Sequence, residues 1–188
     1  MPCGRLAGRG LEVRRVPVTR TGLPRLDEAV AVIDDDAALV TILHAQNEIG
    51  TVQPMARLAA AVRRREVAIH LDAARSLGKI PLDVRAIGAD AMSIAGHKLY
   101  APKGIGAPYL RRGCERPSPL AGAGQERGRR PGTTNVPGIV GLGCACEIAA
   151  RRLAADAERI AALREAIRTK QGWFPRSASN RASARCSR

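Results

Sequence analysis

Residues 67–98, VAIHLDAARSLGKIPLDVRAIGADAMSIAGHK, decide the fold. VAIHLDA (67–73) is a short apolar run that ends on a carboxylate, and DAMSIAG (90–96) is another that ends on a glycine. Between them DVRAIG (83–88) reads as a helical turn stopped by Gly88. Strand, helical turn and strand joined by short connections make a βαβ unit, and such units build parallel sheets.

The pattern extends towards the N-terminus. ALVTILHA (38–45) is a nearly continuous apolar run rich in β-favouring residues, the signature of a strand buried on both faces. PMARLAAAVRRRE (54–66) reads as a helix opened by Pro54, with cations in its last turn. RLDEAVAVI (25–33) reads as a short helix, DDD (34–36) as a turn, and LEVRRVP (11–17) as a half-buried strand by its alternation. The expected architecture is α/β: a mostly parallel sheet covered by helices.

Beyond the last strand, AGAGQERGRRPGT (121–133) is a glycine- and arginine-rich loop with little apolar content. A long helix is expected from about Ile139 to residue 170, and the polar, basic segment 171–188 is expected to be disordered.

Composition narrows the function classes. The 188 residues suffice for one domain with a core. The N-terminus shows no apolar signal segment and no run has the length of a membrane span, so a cytoplasmic protein with no membrane partner is expected. The formal charge of +14 raises nucleic-acid binding, but only four of the 31 basic residues are lysines (Lys79, Lys98, Lys103, Lys170). An arginine skew beside abundant Ala and Gly reflects GC-rich coding, and 2% aromatics leave little for bases to stack on, so nucleic acid is disfavoured as a partner. Five cysteines at these spacings match neither a disulfide framework nor a zinc site, and no metal is expected.

In parallel sheets ligands bind beyond the carboxyl ends of the strands. Asn47 follows the first buried run, Asp72 ends the second, and His97 and Lys98 follow the third. A carboxylate at one strand end and a lysine at another suit pyridoxal phosphate: the lysine takes the aldehyde and the carboxylate keeps the pyridine nitrogen protonated. Spacing alone favours an ordinary loop lysine and a helix-capping aspartate.

Four blocks carry a resemblance: HAQNEIGTVQP (44–54), HLDAARSLGKIPLDV (70–84), SIAGHKLYAPKGIGA (93–107) and GAGQERGRRPGTTNVPGIVGLG (122–143). In this order and spacing they resemble the cysteine desulfurases of the class V aminotransferase group, to which selenocysteine lyase is related. The likeness runs from residue 3 to about 168. It implies a partial fold type I large domain at 1–137, a helix at 138–170 leading towards a small domain, and the basic tail.

The resemblance also implies residue roles. Lys98 would be the Schiff-base lysine, His97 would bond the cofactor phosphate, and Asp72 would hold the pyridine nitrogen. Asn47 would contact the ring-hydroxyl side, and Thr133 would reach the phosphate of the partner subunit in a homodimer. Arg75 stands where the family has a glutamine that touches the ring, Ala95 where many members have a serine, and Ala101 where a glycine is usual. A strained loop is expected if position 101 requires a positive φ.

The implied reaction converts L-cysteine, or selenocysteine, to alanine with sulfur passed to an acceptor or iron–sulfur scaffold protein. The chain is expected to be the middle of such an enzyme, lacking the sulfur-accepting cysteine, the substrate-gripping arginine and the proton-transferring histidine. Impaired activity is expected accordingly. Two other readings stand beside this one: a non-catalytic fragment or module docking on an intact desulfurase, and a basic nucleic-acid-binding protein.

Overall fold

The computed structural model describes residues 2–114, 118 and 120–171. The tail expected at 171–188 lies outside them, apart from Gln171. The elements are α1 (Pro2–Ala7), α2 (Leu26–Val32), β1 (Leu39–Leu43), α3 (Met55–Val62), β2 (Ala68–Asp72), α4 (Val84–Ile87), β3 (Ala91–Ala95), β4 (Gly106–Leu110), the distorted turn α5 (Gln125–Gly128) and α6 (Val136–Gln171). A 3-10 turn, Gly96–Leu99, follows β3.

The sheet runs β1-β2-β3-β4. The first three strands are parallel, in the register Leu43↔Asp72 and Asp72↔Ser93. β4 returns antiparallel, with Ala95 opposite Gly106. This mixed sheet is what the βαβ pattern predicts for its first three strands. GAPYL was not assigned as a strand from the sequence, and its Pro108 sits where a missing N–H costs least, at the end of the strand order.

Local chemistry explains the helices. Asp83 caps α4, its Oδ1 accepting from the backbone N–H groups of Arg85 (2.8 Å) and Ala86 (3.2 Å), and Gly88 closes the turn. α3 presents Met55, Leu58, Ala59 and Val62 to the core at helical spacing. These pack with Ala29 and Ile33 against Val40, Ile69, Leu71 and Met92. Further along the same face, Leu99 and Ala101 meet Leu142 and Ala145 of α6, and Ile94 borders both clusters.

Two expectations are corrected. The strands are not buried on both faces: α2, α3, α4 and the start of α6 all lie on the Val40–Leu71–Met92 side. The other side exposes Leu39, Thr41 and Ser93. The apolar runs were read as two-sided because Leu39, Leu43, Ala91 and Ala95 are apolar too, although they point away from the helices. Residues 11–17 form no strand; their neighbourhood carries only an isolated Val18–Pro24 bridge. No ladder satisfies this segment, and Leu11 and Val13 stay exposed. Arg14 instead pairs with Glu12 (2.7 Å) and with Asp34.

Candidate functional site

Because β1, β2 and β3 are parallel, their C-terminal ends share one edge of the sheet. Asp72 is the last residue of β2. Its carbonyl accepts from the His44 N–H (2.9 Å), and its carboxylate Oδ1 accepts from the Ala74 N–H (3.0 Å). Oδ2 takes no hydrogen bond among the described residues, and the side chain is half-buried. The carboxylate is therefore oriented by one oxygen and available through the other.

Asn47 stands in a tight loop after β1, closed by Gly50 N–H to the Gln46 carbonyl (2.9 Å) and by Gln46 N–H to the Thr51 carbonyl (2.9 Å). Its side chain is exposed and unbonded among the described residues.

His97 and Lys98 lie in the 3-10 turn beyond β3, His97 exposed and Lys98 half-buried, with no side-chain partner for either among the described residues. The turn is held by Gly96 N–H to the Ile105 carbonyl (3.0 Å) and Ala101 N–H to the Gly96 carbonyl (3.1 Å). A Cβ on Gly96 would lie 2.7 Å from the Ile105 oxygen. Glycine is required here by the approach of β4.

Arg75 is exposed on the turn after β2, in which Ser76 and Leu77 N–H both bond the Ala73 carbonyl (3.1 and 3.0 Å). Thr133 is exposed ahead of α6; its carbonyl accepts from Arg130 Nη1 (3.1 Å). The fold thus places Asn47, Asp72, Arg75, His97 and Lys98 at or just past the three strand ends. Thr133 belongs to a separate loop.

The family model for class-V aminotransferases matches residues 1–170. The chain belongs to that family. Human cysteine desulfurase is 44% identical over 170 residues, covering 88% of this chain and 36% of the human protein. The mitochondrial cysteine desulfurase of Arthroderma benhamiae is 46% identical over 169 residues, covering 89% and 34%. The IscS cysteine desulfurase of Methanosarcina thermophila is 40% identical over 165 residues, covering 88% and 41%. Among solved structures, a NifS-like protein superposes with a TM-score of 0.86 at 38% identity, covering 89% of this chain and 46% of its own. SspA in complex with cysteine gives 0.74 at 39% identity, covering 78% and 43%. The chain spans roughly a third to two fifths of the length of these curated relatives. Members of the class-V family depend on pyridoxal phosphate.

Within this class-V chain the strain expected at Ala101 is absent. The left-handed residue is its neighbour Tyr100 (φ 63°), and Ala101 is buried against α6. Tyr100 is 91% exposed, with Lys79 Nζ 5.4 Å from its ring centroid.

Two polar groups beneath the strand ends were not singled out from sequence. His44 and Ser76 are both buried, with His44 Nδ1 2.9 Å from Ser76 Oγ. Burial holds the His44 imidazole below its ordinary pKa, so it stays neutral. On the open face Thr41 Oγ1, the His70 ring and Ser93 Oγ form a row across β1, β2 and β3, at 2.8 Å on each side of the ring. The available signal was a polar residue at the same depth of three successive apolar runs.

A groove of about 600 Å³ runs between α3, α4 and α6, lined by His44, Gln53, Pro54, Leu82, Ile87 and Leu153 among others. It holds none of the six residues predicted from sequence. The chemistry of the strand ends and this groove are separate features of the fold. No helix among the described residues is long and apolar enough to cross a membrane.

Proposed function

We propose that this chain carries the cofactor-holding part of a pyridoxal-phosphate-dependent cysteine desulfurase. The observation that carries the reading is the pairing of Asp72, with one carboxylate oxygen uncommitted, and Lys98, with an unpaired amine, on neighbouring parallel strand ends. The donor set fits the group: an acid for a ring nitrogen, a primary amine for an aldehyde, and an imidazole at His97 for a phosphate.

When bound, the cofactor supplies an electron sink for bond breaking next to the amino group of an amino acid. Asp72 holds a proton on the ring nitrogen, oriented by the Ala74 N–H. Lys98 would hold the cofactor through its aldehyde, and its amine could carry a proton. His97 binds phosphate, Asn47 bounds the ring-hydroxyl side, and Thr133 serves the phosphate of a second subunit. Arg75 brings a cation to the ring edge, in the place of a neutral amide.

The substrate is L-cysteine, consistent with the names of the similar proteins and the cysteine bound to SspA. Its carbon–sulfur bond breaks, the sulfur joins an acceptor thiol as a persulfide, and the carbon skeleton takes a proton to become alanine. The sulfur then serves iron–sulfur assembly or thiolation through a protein acceptor.

The test is covalent trapping. The chain is incubated with pyridoxal phosphate, reduced with borohydride, digested and mapped by mass spectrometry. The label is expected on Lys98, lost in Lys98→Ala, and reduced in Asp72→Asn through weaker retention. Label confined to Lys79, Lys103 or Lys170, or unchanged labelling of Lys98→Ala, overturns the assignment.

A further inference from the structure

Among the described residues only three polar side chains are buried, His44, Thr51 and Ser76. Two of them form one pair, His44 Nδ1 to Ser76 Oγ at 2.9 Å, and it lies beneath the strand ends. The core packed against the sheet, with Leu58, Val62, Ile69 and Leu71, is apolar. A buried hydrogen bond adds little net stability over an apolar pair of the same shape. What it adds is direction, which apolar contact lacks.

The pair belongs to a set of ties that converge on residues 72–76. The His44 N–H donates to the Asp72 carbonyl (2.9 Å), joining the end of β1 to the end of β2. The Ala73 N–H donates to the Ser93 carbonyl (3.1 Å), joining the next residue to β3. The chain then turns. The Ser76 N–H returns to the Ala73 carbonyl (3.1 Å), and the buried Ser76 hydroxyl meets the His44 ring.

Within this closed loop the Ala74 N–H donates to Asp72 Oδ1 (3.0 Å) and orients the carboxylate. The path of residues 73–75 therefore sets the direction of the uncommitted Oδ2. Ser76 is the side-chain anchor at the far end of that path, and the His44 ring is what it is anchored to.

We propose that His44 and Ser76 are positioning residues for the cofactor: their hydrogen bond holds the turn that aims the Asp72 carboxylate at the ring nitrogen. Neither side chain is a ligand of the cofactor; both act through Asp72. The proposal rests on the cofactor reading above and assigns that reading a support outside the six strand-end and loop residues.

The test titrates the full chain with pyridoxal phosphate. It reads affinity and the visible absorption band of the bound cofactor, which responds to protonation of the ring nitrogen. Ser76→Ala is expected to weaken binding about fivefold, the equivalent of one net hydrogen bond, and to move the band in the direction that Asp72→Asn moves it. In the Asp72→Asn background Ser76→Ala is expected to add little, since both changes act at one carboxylate. The double variant His44→Leu, Ser76→Ala replaces the pair by apolar groups. Its urea midpoint is expected above that of Ser76→Ala, with the band still displaced, which separates aim from stability. An unmoved band and affinity in Ser76→Ala, equal losses with and without Asp72, or a wild-type band in the double variant overturns the positioning role while Lys98 still takes the borohydride label. Absence of that label from Lys98 in the unmodified chain overturns the cofactor reading, and this role with it.

Discussion

His44 Nδ1 and Ser76 Oγ lie 2.9 Å apart in the interior, tying the end of β1 to the turn that follows Asp72 and carries Arg75. The backbone repeats the tie, His44 N–H donating to the Asp72 carbonyl (2.9 Å) and Gln53 N–H to the His44 carbonyl (2.8 Å). One buried imidazole thereby aligns two of the three strand ends that bear the candidate chemistry.

Burial lowers the His44 pKa below 6.5, so the unfolded chain binds this proton more readily than the folded one. Its contribution to stability is complete above about pH 6.5 and is lost as pH falls from there through the folded value. Urea melts at a series of pH values should show stability declining on acidification. The decline should be shallower in His44→Gln; equal slopes would remove His44 as its source.

Ser76→Ala removes the side-chain partner of that ring while leaving the imidazole buried. The expected cost is about 1–3 kcal/mol, the penalty of an unsatisfied buried polar group. Equilibrium denaturation measures it, and a neutral result would show that the ring finds another partner.

Gly96→Ala places a methyl group 2.7 Å from the Ile105 carbonyl oxygen and 2.9 Å from Ile105 Cγ2. The first of these is backbone just ahead of β4, held by the Gly96 N–H (3.0 Å), and cannot yield cheaply, so a loss of roughly 1–3 kcal/mol is expected. Since Gly96 opens the turn bearing His97 and Lys98, cofactor trapping at Lys98 should fall with it. Stable protein with undiminished trapping would contradict this account of the turn.

Leu58→Ala empties a site that is 1% exposed, at the centre of the packing of α3 on the sheet. The expected destabilisation is about 2–5 kcal/mol. Ile160→Ala, on the unseated half of α6, should change stability by less than about 0.5 kcal/mol in the same assay. The contrast separates the folding core from the exposed part of α6.

Asp83→Ala removes the cap that satisfies the Arg85 and Ala86 N–H groups. A cost of about 1 kcal/mol is expected, with Asp83→Asn recovering most of it. Thermal melts of the two variants distinguish the capping hydrogen bonds from the charge.

The elements with strong local signals were legible from the chain alone. β1, α3, β2, α4 and β3 lie within a few residues of their expected positions, because apolar period, the Asp83 cap and the Gly88 stop act over short distances. Asn47, Asp72, His97 and Lys98 could be placed at strand ends for the same reason: the end of an apolar run is visible in sequence. Segment 11–17 was misread because alternation describes a strand's side chains and says nothing of the neighbour it needs.

The sequence by itself determined the βαβ order, the family, and the residues standing past three strand ends. Which face of the sheet carries helices was decided only in three dimensions, since apolar residues occur on both faces and packing alone distinguishes them. The His44–Ser76 tie and the Thr41–His70–Ser93 row join residues 23–32 positions apart, a separation that only strand pairing and the turn after β2 can close. α6 shows both contributions. Its residues 146, 153, 160 and 167 recur every seven positions in the chain, but only the tertiary packing half-buries Cys146 and Leu153 and leaves Ile160 and Ile167 exposed.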